Sequence, residues 1–302
     1  MPKKIFVINP GSTSTKLSYY EDETMLCTQE RFHDSSELLR FDTINDQLDF
    51  RMGVVWDFFR ENGIQPRGLD AIMGRGGGCY AVPGGIYRKA VCHALNLKQA
   101  ARRHATAMGK RYEELDLIVC HIDGGISITA HHKGRMIDGN DAGGGEGPFT
   151  PTRMGTMAVT DVNEHLRALP YETVKSLCSQ SGGLSSHFGT SSADRIHAMV
   201  EAGDEAAALV WEAMIYQTAK YIAAMAAVLE GHVDGIVLTG GLLRFDDVVS
   251  GIRRRCEWIA PVSVYPGEFE QEAMALGALR VLRGEETLLT YPGKPVWTGF
   301  GS

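Results

Sequence analysis

Residues 115–130 read LDLIVCHIDGGISITA: the apolar run Leu115 to Cys120 breaks into the turn His121-Ile122-Asp123-Gly124-Gly125-Ile126-Ser127, and an apolar run resumes at Ile128. Run, glycine turn and run again predict two strands joined by a tight polar loop. The start of the chain has the same shape. Ile5 to Ile8 precedes Asn9-Pro10-Gly11-Ser12-Thr13-Ser14-Thr15-Lys16, and Leu17 to Tyr20 follows. The two stretches stand about 112 residues apart, and self-similarity at that distance predicts two related halves. A third strand, Asp234 to Thr239, ends in Gly240-Gly241, and Leu69 to Met73 runs as a strand into Gly74-Arg75-Gly76. Helical stripes separate these strands, one from Ile44 to Phe59 and another carrying Leu209, Ala213, Tyr216, Ile222, Met225 and Leu229. The class is therefore α/β.

Composition narrows the function. The chain has 302 residues, enough for two domains, with 35 glycines, more than a tenth of the chain where about 7% is usual. A net charge of −7 with 44% hydrophobic residues excludes both a disordered chain and nucleic-acid binding by a general basic face. The six cysteines (Cys27, Cys79, Cys92, Cys120, Cys178, Cys256) have no CxxC spacing, which argues against structural zinc and for a reducing compartment. The longest apolar stretch, Tyr221 to Leu229, is too short to span a bilayer, and the N-terminus lacks a signal-peptide core. The expectation is a cytoplasmic protein with no membrane and no nucleic-acid partner.

Three glycine turns, each at the end of an apolar strand, suit phosphate binding. Glycine lets backbone N–H groups converge on an anion at close range. One such loop alone reads as a hairpin turn; three together point to a nucleotide site. GSTSTK (11–16) lacks the glycine before lysine of the Walker pattern, and no GxGxxG opens a helix.

INPGSTSTK (8–16), HIDGGIS (121–127), GEGPF (145–149), LTGG (238–241) and YPGEFEQEAMALGALRVLRGEE (265–286) resemble the motifs of the acetate and butyrate kinase family. That family belongs to the superfamily of sugar kinases, actin and heat-shock chaperones. The resemblance runs from residue 3 to about residue 287 of the chain. It implies a two-domain actin-like ATPase fold of duplicated ribonuclease-H-like topology, with domains at 1–112 and 113–302 closing over ATP or ADP. The reaction it implies is reversible phosphoryl transfer between ATP and a short-chain carboxylate, giving an acyl phosphate, with Mg2+ and a homodimer.

The resemblance also assigns roles. Asn9, Gly11, Ser12, Thr13, Ser14 and Lys16 make the first phosphate loop; Gly124, Gly125 and Ser127 make the second; Gly240 and Gly241 lie under the adenosine. Arg75 is similar to the arginine holding the carboxylate and the migrating phosphoryl group, His121 to a donor to the phosphoryl oxygens, and Arg153 to a second active-site arginine. Glu272 resembles the carboxylate that helps hold Mg2+, with Glu268 and Glu270 as close competitors, and acids at a helix start also simply complement its dipole.

Three departures stand against this. Asp123 occupies a glycine position of the second phosphate loop, and Ser192 and Asp194 replace an Asp and an Arg expected near the adenine. Lys89 runs straight into Ala90 where the family has several tens of residues, including a metal-associated aspartate and part of the first sheet. The first domain is therefore expected to be shortened, with three strands, and His93 and His104 to be surface residues. The alternatives are a catalytically impaired relative that binds nucleotide or dimerises, and a sugar kinase of the same superfamily.

Overall fold

The computed structural model describes residues 1–11, 13–42, 44–75, 79–81 and 88–290. The chain divides into two compact units, Met1–Gly77 with Phe269–Ser302, and Gly78–Glu268. This differs from a single cut at residue 112, because α3 (Ala94–Ala107) packs on the second unit's sheet and α10 (Glu270–Leu282) returns to the first.

In the first unit, β1 (Lys4–Pro10) lies between β2 (Ser14–Glu21), antiparallel, and β4 (Ala71–Gly74), parallel; β3 (Thr24–Phe32) completes the order β3-β2-β1-β4. Among the described residues this sheet has four strands, where three were expected. β3 is an edge strand with no buried residue, so its sequence carries little of the apolar alternation that marks a half-buried strand. A single helical turn, α1 (Ser35–Leu38), precedes α2 (Leu48–Glu61). Phe6 packs against Phe58 and Phe59 of α2, with ring centroids 5.6 and 4.5 Å away. Ile5 and Val7 point the other way by the strand's period of two, and α10 packs against β1 and β4.

The second unit holds the five-stranded mixed sheet β11-β10-β7-β8-β9, built from β7 (Asp116–Ile122), β8 (Ile126–His132), β9 (Arg135–Gly139), β10 (Gly235–Gly240) and β11 (Val262–Pro266). A two-stranded ribbon, β5 (Cys79–Ala81) with β6 (Arg88–Ala90), precedes it, so the Lys89–Ala90 junction lies within a strand. Every residue of β7 is buried, as expected of a central strand covered on both faces. One face packs Leu117, Val119 and Val237 against Leu97, Ala100 and Ala101 of α3. The other packs Ile118, Cys120, Ile236 and Leu238 against α8 (Glu205–Val228) and its neighbours α7 (Ala193–Glu201) and α9 (Asp246–Cys256). Three short helices, α4 (Val159–Leu166), α5 (Tyr171–Ser179) and α6 (Leu184–Phe188), fill the connection from β9 to α7.

Two expectations are corrected here. On α8 the buried face is Trp211, Met214, Ile215, Ile222 and Met225, while Leu209 and Tyr216 of the expected stripe are 71% and 54% exposed. A helix apolar on most sides gives no single stripe to read. His104 is not a surface residue: α3 turns it onto the sheet, where its Nδ1 lies 3.1 Å from the Tyr265 hydroxyl.

His131, on β8, is buried with Nδ1 2.5 Å from the Tyr112 hydroxyl and Nε2 2.8 Å from Thr129 Oγ1. Burial, then Lys98, pull its pKa down to about 3. The folded chain thus keeps this ring neutral while the unfolded chain protonates it near pH 6.5, so the stability it contributes is present above pH 6.5 and drains as pH falls toward 3. Urea unfolding at pH 7.5 and 5.0 should show a loss approaching about 1.4 kcal/mol per pH unit from this group, which His131→Gln removes.

Candidate active site

Two clusters bring the sequence-predicted residues together, one in each unit. In the first unit the Gly11 N–H donates to the Ser14 carbonyl at 2.8 Å after β1. Arg51 of α2, buried, clamps this pair from below by donating to the Gly11 carbonyl at 2.8 Å, the Ser14 carbonyl at 3.0 Å and Thr15 Oγ1 at 2.8 Å, while its Nε donates to Gln47. Sequence reading missed Arg51, whose only signal is a basic residue on the buried side of an otherwise apolar stripe. Ser12 lies outside the described residues. Thr13 is exposed in the turn, but Ser14 turns its hydroxyl to Glu30 at 2.7 Å, so of the expected loop hydroxyls this one is engaged by the sheet edge.

Asn9 is the last residue but one of β1, and the antiparallel register sets Lys16 directly opposite it. Arg75 follows β4, with its N–H donating to the Ile8 carbonyl at 3.0 Å. Parallel pairing of β1 and β4 therefore carries Asn9 and Arg75 to the same end of the sheet. Arg75 Nη1 lies 3.3 Å from Asn9 Oδ1 and 3.3 Å from Glu270 Oε2, and Asn9 Nδ2 donates to that same carboxylate at 3.0 Å. The carboxylate at this cluster is Glu270, the first residue of α10, rather than Glu272. Two residues along a helix turn the side chain by about 200°, and Glu272 instead lies by Tyr20, where burial and then its charge push the tyrosine hydroxyl up to about 12.

In the second unit the β7–β8 loop and the end of β10 meet. His121 pairs with Ser127 across β7 and β8 and with Thr239 across β7 and β10. Gly240 has φ +111°, and a Cβ there would collide with the Ile122 backbone, so this crossing requires glycine. The His121 ring is buried, with Nδ1 2.6 Å from Asn96 Nδ2 and its face 4.1 Å from the His93 ring. His93 Nδ1 lies 2.8 Å from Ser127 Oγ. His93 is thus a wall of the site and not a surface residue, because the first turn of α3 begins over the loop. Ser127, fully buried, supports these rings.

Asp123 Oδ1 accepts from the Gly124 N–H and Oδ2 from the Gly241 N–H, each at 2.7 Å. Two backbone donors of the expected phosphate and adenosine loops are therefore held by a carboxylate of the chain itself. The Gly124 carbonyl accepts from Thr150 Oγ1 at 2.7 Å and Thr152 Oγ1 at 2.8 Å. Arg153 lays its guanidinium against Gly125 so closely that a Cβ there would overlap it. Burial pulls the pKa of that guanidinium down, Asp141 opposes the shift, and its buried Nε has no hydrogen-bond partner among the described residues.

Beyond Gly241, Arg244 donates to the Gly241 carbonyl at 2.7 Å, pairs with both carboxylate oxygens of Asp194 at 2.9 Å and lies over the Phe245 ring. Ser192 caps α7, accepting from the Arg195 N–H. Asp194 of α7 and Arg244 after β10 thus form an ion pair between two elements.

Residues 79–253 match the Acetokinase family. A probable butyrate kinase of Bacteroides thetaiotaomicron is 37% identical over 352 aligned positions, covering 95% of this chain and 99% of that protein. Since 95% of 302 residues is about 287, about 65 of the 352 aligned positions face no residue of this chain. Among solved structures, the acetate kinase of Porphyromonas gingivalis matches with a TM-score of 0.70 at 17% identity, covering 93% of this chain and 100% of its own. A propionate kinase from Francisella tularensis matches with a TM-score of 0.68 at 14% identity, covering 90% and 98%. At those identities the two structures bear on fold alone, and they agree with the actin-like ATPase architecture expected from the motifs. More than half of the chain fits the one family description, and a relative is similar along nearly its whole length: the chain belongs to the acetokinase family.

Proposed function

We propose that the chain transfers the γ-phosphoryl group of ATP reversibly to a short-chain carboxylate, butyrate-like in size. A carboxylate oxygen attacks γ-phosphorus in line, the bond to the β–γ bridging oxygen breaks, and its electron pair leaves with ADP. The observation that carries this reading is Arg153: a desolvated guanidinium laid against the Gly124–Gly125 turn, with a buried Nε lacking a partner among the described residues, is built for an anion. Charge spread over transferring phosphoryl oxygens is what such a group stabilises. The similarity to a probable butyrate kinase supports the substrate class. Asn9, Lys16 and Arg75 give the first unit its own set of donors. His121, with Asn96 Nδ2 at its Nδ1, presents Nε2 as the protonated nitrogen and so as a donor.

Mg2+ supplies charge neutralisation on the nucleotide phosphates when bound. An all-oxygen donor suits that ion, and Glu270, its carboxylate steadied by Asn9 and Arg75, is the residue of the first unit that fits it. The homodimer and cytoplasmic location belong to the same reading; among the described residues no helix is long and apolar enough to cross a membrane.

A coupled assay with butyrate, ATP and Mg2+, trapping the acyl phosphate as hydroxamate, tests the proposal. Turnover that vanishes in His121→Ala supports it; ATP binding without turnover sinks it and leaves the impaired relative. The hold of Asp123 on Gly124 and Gly241 favours that second reading, as do the unmatched positions of the alignment. Asp123→Gly frees both amides and removes a charge whose repulsion of a phosphate is worth about 1 kcal/mol at 4 Å in water and more where water is excluded. ATP affinity measured by calorimetry should therefore rise about tenfold in this variant.

A further inference from the structure

The turn after β7 sets an imidazole and a carboxylate two residues apart, and the turn after β11 brings Glu268 to them. One ligand atom each from His121, Asp123 and Glu268 lie within 4.8 Å of one another, and His121 Nε2 is 3.9 Å from Glu268 Oε1. Donor atoms bound at about 2.0–2.2 Å around one cation stand roughly 3–4 Å apart. The His121–Glu268 separation already lies in that range, and the widest separation in the cluster exceeds it by under about 1 Å.

Two of the three side chains are already fixed. His121 is 1% exposed, and the Asn96 carboxamide at its Nδ1 is the kind of outer contact that orients a metal-bound histidine. Asn96 can turn either its nitrogen or its oxygen to that ring, so the tautomer with Nε2 unprotonated also has a partner. Asp123 is held by two backbone N–H groups, and each of its oxygens, accepting one bond, retains a lone pair.

We propose that His121, Asp123 and Glu268 bind a divalent first-row transition cation in the second unit, with its remaining coordination positions open to water or phosphate oxygens. One imidazole with two carboxylates suits Mn2+, Co2+ or Zn2+, whereas Mg2+ prefers oxygen alone. The site does not depend on the phosphoryl-transfer reading. Where both hold, the cation takes the place of the proton on His121 Nε2, so that the cation and not that N–H faces the phosphoryl oxygens, and it offsets the carboxylate that Asp123 brings to the phosphate loop.

Titrating Co2+ alone into the full chain, with no nucleotide or carboxylate present, tests it by calorimetry and by the visible d–d absorption of the bound ion. One site is expected. Asp123→Asn and Glu268→Gln should each weaken it at least tenfold without changing the circular dichroism, and Mg2+ should displace Co2+ only in large excess. Should Asp123→Asn disturb the loop, Glu268→Gln, altered at an exposed side chain, reports alone. No Co2+ uptake by the folded chain at millimolar concentration, or unchanged affinity in both variants, overturns the inference. Co2+ binding without phosphoryl transfer sustains it while the function fails, and phosphoryl transfer by a chain that takes up no Co2+ does the reverse.

Discussion

Replacing Arg153 by alanine should lower kcat/KM for acyl phosphate formation about a thousandfold while leaving the melting temperature within a few degrees of the parent. The two halves of that expectation have one cause. The guanidinium is desolvated against Gly125, and its Nε has no partner among the described residues, so in the free protein it stabilises little. A charge kept in that state is worth most when negative charge arrives and builds up in the transition state. Removing one preorganised donor of this kind costs about 10²–10³ in rate, and a positioned arginine at a phosphoryl group costs more. Hydroxamate kinetics at saturating ATP check the rate, and added guanidinium should restore part of it. A loss under tenfold would remove Arg153 from the chemistry and with it the main support for the proposed function.

Glu270→Gln should lower kcat about a hundredfold with a smaller change in KM, and Glu272→Gln should change either by less than threefold. Glu270 Oε2 takes the Asn9 amide at 3.0 Å and the Arg75 guanidinium at 3.3 Å, so one carboxylate sets two donors. Glutamine keeps the size and one acceptor oxygen but loses the charge that holds Arg75. A misplacement of about 1 Å in a positioning group can cost on the order of a hundredfold. Equal effects in the two variants would mean that α10 contributes general negative charge and not one aimed carboxylate.

The strands and loops that carry these residues were legible because their signals are local. A short run of consecutive apolar residues followed by glycine and polar residues announces Ile5–Ile8 and its turn without any tertiary information, and the same holds for Leu115–Ser127 and Asp234–Gly241. Edge strand β3 was legible only as the last strand of the repeated pattern, since its half-buried positions Gln29 and Arg31 are polar while Met25 and Leu26 are exposed. His93 and His104 read as surface residues in an Arg-rich stretch, yet α3 buries one and stacks the other on His121. Helical spacing told which residues share a face; it could not tell that the face would be laid on β7 and β10.

Asp123 shows the same boundary at the level of a single residue. From its position in the loop it was readable as a charge opposed to phosphate. That its two oxygens would be met by the N–H groups of Gly124 and Gly241 depends on β10 pairing with β7, which brings residues 118 positions apart in sequence to 2.7 Å. Periodicity and glycine spacing settled the α/β class and the kind of loop, because backbone conformation and local burial act over a few residues. The contact of Glu270 with Asn9 and Arg75, the clamp by Arg51 and the meeting of His121, Asp123 and Glu268 came from strand register and helix phase. Those are long-range quantities, fixed by which apolar faces pack together and invisible in any short window of the chain.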